Sequence, residues 1–269
     1  MKKIKIGIVG CGAIGTGVAQ FIVKELAGQA QLAAVCDIDG EKVKNLVKKA
    51  KVFPQVMCLD DLVKTADFVV EAASAQAAID VIEAASAHKK EVMILSVGAF
   101  VKDPNLLCKA RASGINIHIP SGAICGVDGI AALSMGRVKK IRLTTSKPPK
   151  GLADVEYLIR KKINLNKLTH ARVVFKGGVK EAIKYFPKNI NVAATLLLAS
   201  AGKDVEVRIV ADPHIKRNIH RIDVDADEAK VTIEVDNIPS EINPKTSTLT
   251  ILSAQYTLKK IFSWFKIGN

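Results

Sequence analysis

Proton transfer near neutral pH is most readily carried out by imidazole, whose ordinary pKa lies there. The run ADPHIKRNIHRIDVD, residues 211–225, carries two histidines, His214 and His220. Read as a strand, NIHRIDVD turns His220, Ile222 and Val224 to one face and Arg221, Asp223 and Asp225 to the other. His220 then shares an apolar, inward face, where an imidazole needs either a hydrogen-bonding partner or a chemical task. The pattern leaves both readings open: a satisfied core histidine or a proton-transfer group. His214 follows Asp212-Pro213 and is expected in a turn, in contact with water. The pair is not expected to hold a metal, because its spacing is not the i, i+4 of a helical site and no third ligand stands close by. His88, His118 and His170 lack such a setting and are expected to be structural or on the surface.

A second set of residues is suited to holding a ligand. In KIKIGIVGCGAIGTGVAQFIVKEL, alternating Ile4, Ile6 and Ile8 predict a strand, and Val18, Phe21, Ile22 and Leu26 recur at helical intervals. Between them Gly10, Gly12 and Gly15 have G-x-G-x-x-G spacing, with Ala13 and Ile14 completing the turn. Gly10 makes the tight turn, Gly12 lets backbone approach a pyrophosphate, and Gly15 lets helix and strand pack closely. Unpaired N–H groups at the helix start favour a phosphate there. The motif alone is weak, but the next apolar strand, QLAAVCDID, ends in Asp37, 22 residues beyond Gly15. An acidic residue at about that distance, ~20 positions on, accepts hydrogen bonds from the adenosine ribose hydroxyls. NAD is therefore the expected cofactor, with NADP possible but disfavoured, since Asp37 repels a 2′-phosphate.

These residues need a scaffold. DFVVEAAS, EVMILSV and INIHIP read as strands, with QAAIDVIEAASAHK and DPNLLCKARASG as helices between them. Strands alternating with helices predict a Rossmann-type, doubly wound parallel sheet, which binds ligands at the carboxyl ends of its strands. The small-residue segments 71–74, including Ala73, and 96–99 fall at such ends and are expected to flank the cofactor. From about residue 121 the pattern changes. KKIRLTTS, ARVVFKGG, VEVRIVAD, NIHRIDVD and KVTIEVDN are period-two strands with few helices between them, predicting an α+β unit whose open, mixed and mostly antiparallel sheet is covered on one face. The fold class is α/β. Residues 1–121 are expected to form a dinucleotide-binding domain and 122–243 a substrate domain. A terminal helix within 244–269, with Pro244 in its first turn, is expected to pack back on the first domain.

Composition removes several alternatives. Hydrophobic residues make up 49%, which permits a sizeable core and argues against disorder. No apolar run approaches the ~18 residues of a membrane span. The lysine-rich start leads into a strand rather than an apolar leader, so the chain is expected to work in the cytoplasm. Five cysteines without metal-ligand spacing fit scattered reduced thiols. The net charge of +14 raises nucleic acid as a partner, but the lysines are dispersed and aromatics are only 4%, too few for a base-stacking surface. A positive field also steers small anions.

Taken together, GIVGCGAIG, VVEAAS, IPSGAICGVDGI, FPKNINVAAT, ADPHIKRNIHRI and NPKTS make the chain resemble the NAD(P)-dependent L-aspartate dehydrogenases over almost its whole length. The resemblance implies that His220, in the N-x-H-x-I stretch, is catalytic, and that Ala123 and Asn189 contact the cofactor. It also implies a homodimer, with 122–243 as the dimerisation domain, a dicarboxylate amino acid as substrate, and a link to NAD biosynthesis. In that reaction the α-carbon of L-aspartate gives a hydride to NAD, and iminosuccinate then yields oxaloacetate and ammonia. A neutral imidazole would take a proton or activate water. Basic groups would hold the carboxylates, with Lys147 one candidate. At position 146 the chain has serine where the family leads one to expect arginine. Competing expectations are a two-domain reductase of the dihydrodipicolinate reductase or homoserine dehydrogenase type, and a non-catalytic NAD sensor. A paired-histidine motif with a nearby lysine, expected of the first, is absent.

Overall fold

The computed structural model of the chain describes residues 3–186 and 191–268. It divides into two compact units. One comprises Met1–Gly122, Ser240–Thr246 and Thr250–Ile267; the other comprises Ala123–Pro239, Ser247–Leu249 and Gly268–Asn269.

In the first unit the chain runs β1 (Ile4–Val9), α1 (Ala13–Glu25), β2 (Ala30–Cys36), α2 (Gly40–Ala50), β3 (Gln55–Val56) and α3 (Leu59–Thr65). It continues through β4 (Phe68–Glu71), α4 (Ala75–His88), β5 (Glu91–Ile94), α5 (Ala99–Lys102), α6 (Leu106–Ser113) and β6 (Ile117–His118). The six strands form a parallel sheet in the order β3-β2-β1-β4-β5-β6. The direction of winding reverses beside β1, so the turns after β1 and β4 open onto the crevice where such sheets take ligands. β1 and β4 are apolar on both faces because helices cover both, and Ile6, Ile8, Val69 and Val70 are fully buried. Side-chain acceptors start two of the helices: Asp39 caps α2 through Glu41 N at 3.0 Å, and Ser74 caps α4 through Ala77 N at 3.2 Å.

The last helix, α11 (Thr248–Phe262), begins later than Pro244 suggested. Residues 240–246 instead close a turn, with Ser240 N donating to Thr246 O and Thr246 N to Asn243 O. Ser247 then accepts from Leu249 N at 3.1 Å and starts the helix. Within the first unit, Ala254 and Leu258 of α11 join Ile6, Val18 and Ile22 in the core, and Gln255 donates to Gly17 O at 2.9 Å.

The second unit contains α7 (Val127–Leu133), β7 (Val138–Lys147), α8 (Glu156–Arg160), β8 (Arg172–Gly177), α9 (Val179–Tyr185), α10 (Asn191–Ala199), β9 (Val205–Ala211), β10 (Ile219–Ala226) and β11 (Lys230–Asp236). Its sheet has the order β11-β10-β7-β9-β8. Three of its pairings are antiparallel and β7–β9 is parallel, which makes it the mixed sheet expected. Alternation is strict: Ile141, Leu143, Val207, Ile209, Ile222 and Val224 are buried on one face. Arg142, Glu206, Arg208 and Arg221 lie on the other, where Glu206 accepts from Arg142 and Arg208.

Candidate active site

A candidate nucleotide site lies at the end of β1. Gly10 has φ +98°, a conformation that a side chain strongly disfavours. A Cβ on Gly15 would collide with the Gly10 carbonyl, so the third glycine exists to bring α1 against the turn. Gly12 is different: a Cβ there would meet nothing within 4 Å. No protein atom requires Gly12 to be glycine, which fits a surface kept bare for a ligand. Gly12 is also the N-cap of α1 and supplies no side-chain acceptor, so the first N–H groups, those of Ala13 and Ile14, remain available to a phosphate. The Ala13 side chain is buried and Ile14 packs on the core, which leaves only their backbone to meet a ligand.

Asp37 lies just past β2, half-buried. Its Oδ2 accepts from Cys11 N at 2.7 Å and its Oδ1 from Asp39 N at 2.9 Å. Each carboxylate oxygen can accept about two hydrogen bonds, so capacity remains on both for ribose hydroxyls. The same contact ties the glycine turn to the acidic residue, a link that sequence spacing does not reveal. The Cys11 thiol is pushed up to about 12, chiefly by burial and then by Asp37, which disfavours the thiolate.

The turns after β4 and β5 are joined by Glu71, which is fully buried. Its Oε1 accepts from Ala73 N at 2.7 Å, Ser74 N at 3.0 Å and Ser96 Oγ at 2.8 Å, and its Oε2 accepts from Ser96 N at 3.0 Å. Burial raises its pKa, against the opposing pull of these donors. Ala73 itself is exposed beside this junction. Its signal in the sequence is an acidic residue closing the apolar strand FVVE.

In the second unit His220 of β10 faces Thr145 of β7 across an antiparallel register. His220 Nδ1 and Thr145 Oγ1 are 3.0 Å apart, and both side chains are buried. Lys147, two positions along the same face, is buried as well, with 8% of its surface exposed. Burial first and the Lys147 charge second push the His220 imidazole down to about 4. Burial pushes Lys147 down to about 8. At neutral pH these values give a neutral imidazole, with Nδ1 in contact with Thr145 Oγ1, beside an ammonium that is mostly charged. Ser146 alternates to the opposite face, where it pairs with Ile219.

The remaining candidates have other surroundings. His214 is exposed in a turn, with its N–H on Asp212 Oδ1 and its Nε2 2.9 Å from Thr169 O. His88 and His118 sit beside Asp60 and Glu91, respectively. Ala123 is held through its carbonyl, which accepts from buried Asn237 Nδ2 at 3.1 Å; Ser247 Oγ in turn donates to Asn237 Oδ1. Asn189 lies outside the described residues. Thr145 and Asn237 were not expected, because each is defined by a partner far away in sequence.

Comparison with known proteins bears on both halves. Residues 10–120 match the family model described as the NAD-binding domain of homoserine dehydrogenase, and residues 128–261 match that described as the C-terminal part of aspartate dehydrogenase. An L-aspartate dehydrogenase of Methanosarcina barkeri is 39% identical over 99% of this chain and 100% of its own length. One from Bradyrhizobium diazoefficiens is 36% identical over 100% of this chain and 95% of its own. The crystal structure of aspartate dehydrogenase from Thermotoga maritima matches with a TM-score of 0.77 at 28% identity, covering 99% of this chain and 100% of that one. The chain is thus a member of the L-aspartate dehydrogenase family.

Proposed function

We infer that the chain oxidises L-aspartate with NAD, giving iminosuccinate, which water converts to oxaloacetate and ammonia. The reading rests above all on full-length similarity to L-aspartate dehydrogenases. The buried His220–Thr145–Lys147 face supplies chemistry suited to it. Bound NAD supplies the hydride acceptor. The chain's own groups do the rest. The N–H groups of Ala13 and Ile14 hold the pyrophosphate across bare Gly12, and Asp37 accepts from the ribose hydroxyls. Ala73, Ala123 and Asn189 are read as further cofactor contacts. Lys147, charged below its pKa of about 8, holds a substrate carboxylate. Neutral His220, oriented through Nδ1 by Thr145, takes at Nε2 a proton from the substrate ammonium or from the water that attacks the imine, once a substrate carboxylate offsets the Lys147 charge that helps hold the ring at about 4.

We read residues 122–243 as the substrate and dimerisation domain of a cytoplasmic homodimer, with no nucleic acid partner. The dispersed charge and the family support this reading; among the described residues no helix is long and apolar enough to cross a membrane. In the cell the product would feed NAD biosynthesis.

The test is spectrophotometric. Purified protein with L-aspartate and NAD should give growing absorbance of the reduced nicotinamide, and D-aspartate and L-homoserine should not. Reduction with L-homoserine but not L-aspartate would transfer the assignment to the homoserine dehydrogenase type. NAD binding without turnover of any amino acid would favour a sensor.

A further inference from the structure

Glu71 is an expensive residue for a structural task. It is fully buried, and no ion pair to a lysine or arginine is found for it among the described residues. Three of its four hydrogen bonds come from backbone N–H groups, which can only donate. The fourth is with the Ser96 hydroxyl. A ring of donors favours the ionised carboxylate, which only accepts, and works against the burial that raises its pKa. An amide or an apolar side chain would join two turns at less desolvation cost.

Its place in the sheet gives that charge a use. Glu71 is the last residue of β4, in register with Val9 at the end of β1 and with Ile94 at the end of β5. The adenosine ribose is assigned to Asp37, beyond β2, and the pyrophosphate to the glycine turn after β1. A dinucleotide laid across the switch point continues past β1, so its nicotinamide half extends toward the ends of β4 and β5. Those ends are the turns that Glu71 fastens together, through Ala73 and Ser74 on one side and Ser96 on the other.

We propose that Glu71 is a positioning residue for the nicotinamide end of the cofactor site, and that its buried negative charge favours the oxidised, cationic ring over the reduced, neutral one. This rests on the cofactor half of the proposed function and not on the identity of the amino acid. Two consequences separate. Fastening the turns affects both redox forms of the cofactor alike. The charge affects only the difference between them, which a merely structural carboxylate would leave unmoved.

The experiment measures the dissociation constants of NAD⁺ and NADH by calorimetry, without amino acid, for the full-length protein and three variants. Glu71→Gln keeps the size, loses the charge and turns an amide toward donors. It should weaken both ligands and shift their affinity ratio about tenfold toward NADH, as expected for a charge lost in a low-dielectric site. Glu71→Asp and Ser96→Ala both keep the charge and loosen the junction. They should weaken both ligands while holding the ratio within about twofold. A Glu71→Gln protein that folds with an unchanged ratio overturns the proposal. If Glu71→Gln does not fold, Glu71→Ala, which also loses the charge, takes its place: a ratio shifted toward NADH sustains the proposal and an unchanged ratio overturns it, as does a ratio that moves in Glu71→Asp or Ser96→Ala. A wild-type protein that binds neither NAD⁺ nor NADH would instead overturn the cofactor reading itself.

Discussion

Thr145 Oγ1 lies 3.0 Å from His220 Nδ1, across the antiparallel pair formed by β7 and β10, with both side chains buried. The contact removes one ring nitrogen from competition and fixes the plane of the other. Thr145→Val keeps the shape and loses the hydroxyl, leaving Nδ1 without its partner. It should lower kcat with L-aspartate by about tenfold, a part of the roughly hundredfold scale of the acid–base group itself. Thr145→Ser should restore most of that loss. NAD affinity, measured alongside, should hold steady; an unaffected kcat in Thr145→Val would show that the ring is oriented by other means.

The two histidines of the 211–225 stretch should behave oppositely. His220 is buried on the Lys147 face, and His214 is exposed in a turn against Thr169 O. His220→Ala should reduce kcat by roughly a hundredfold or more with NAD affinity nearly unchanged. His214→Ala should keep most activity. Steady-state kinetics on both proteins, with folding checked by circular dichroism, decide the matter: an active His220→Ala removes the residue from the chemistry.

Legibility in the sequence followed locality. The parallel sheet could be read because each strand and helix announces itself over a few residues, and the Gly10, Gly12, Gly15 and Asp37 spacing is linear. Strand alternation placed His220 inward correctly, since period two needs no knowledge of neighbours. The pairing of Thr145 with His220, the bond from Asn237 to Ala123 and the bonds from Ser96 to Glu71 could not be read, because each joins residues distant in sequence. No local pattern states that β7 pairs with β10, or that the turn after β4 bonds to Ser96. The start of α11 was misplaced for a related reason: Pro244 is a fair first-turn residue, but Ser240 and Thr246 close a turn over it and Ser247 takes the capping role.

Glycine substitutions should part in the nucleotide turn. A Cβ at Gly12 meets no protein atom within 4 Å, whereas one at Gly15 strikes the Gly10 carbonyl. Gly12→Val should thus melt within a few degrees of wild type and lose NAD binding. Gly15→Val should lose stability as well as binding. Thermal melts paired with calorimetry distinguish the two, and unchanged NAD affinity in a folded Gly12→Val protein would refute the pyrophosphate seat.

Asp37 should set the preference between dinucleotides. Its two oxygens already accept from Cys11 N and Asp39 N, and they retain capacity for ribose hydroxyls. Asp37→Ser should weaken NAD and narrow its advantage over NADP by roughly 1–3 kcal/mol, the range of a charge-assisted hydrogen bond. Comparing kcat/KM for the two cofactors gives that figure directly; a wild type that already prefers NADP would contradict the role.

The depressed pKa of His220 has a consequence for stability that is independent of turnover. The folded ring titrates at about 4, against 6.5 ordinarily, with burial the main cause and Lys147 the second. Between those two values the unfolded chain binds a proton at this ring and the folded chain does not. Stability is therefore fullest above pH 6.5 and falls as pH drops from 6.5 toward 4, by on the order of 3 kcal/mol from this group. Lys147 titrates at about 8 and so lies outside that window. His220→Asn removes the titrating ring, and the other acid-sensitive groups are common to both proteins. Urea unfolding at pH 7.5 and at pH 5.0 should show wild type losing more stability than His220→Asn over the same step. Lys147→Met removes the second cause, so the His220 ring followed by NMR should titrate at higher pH in that variant than in wild type. Equal losses in wild type and His220→Asn would mean that the ring titrates near its ordinary value, and that the neutral imidazole at this face owes nothing to its surroundings.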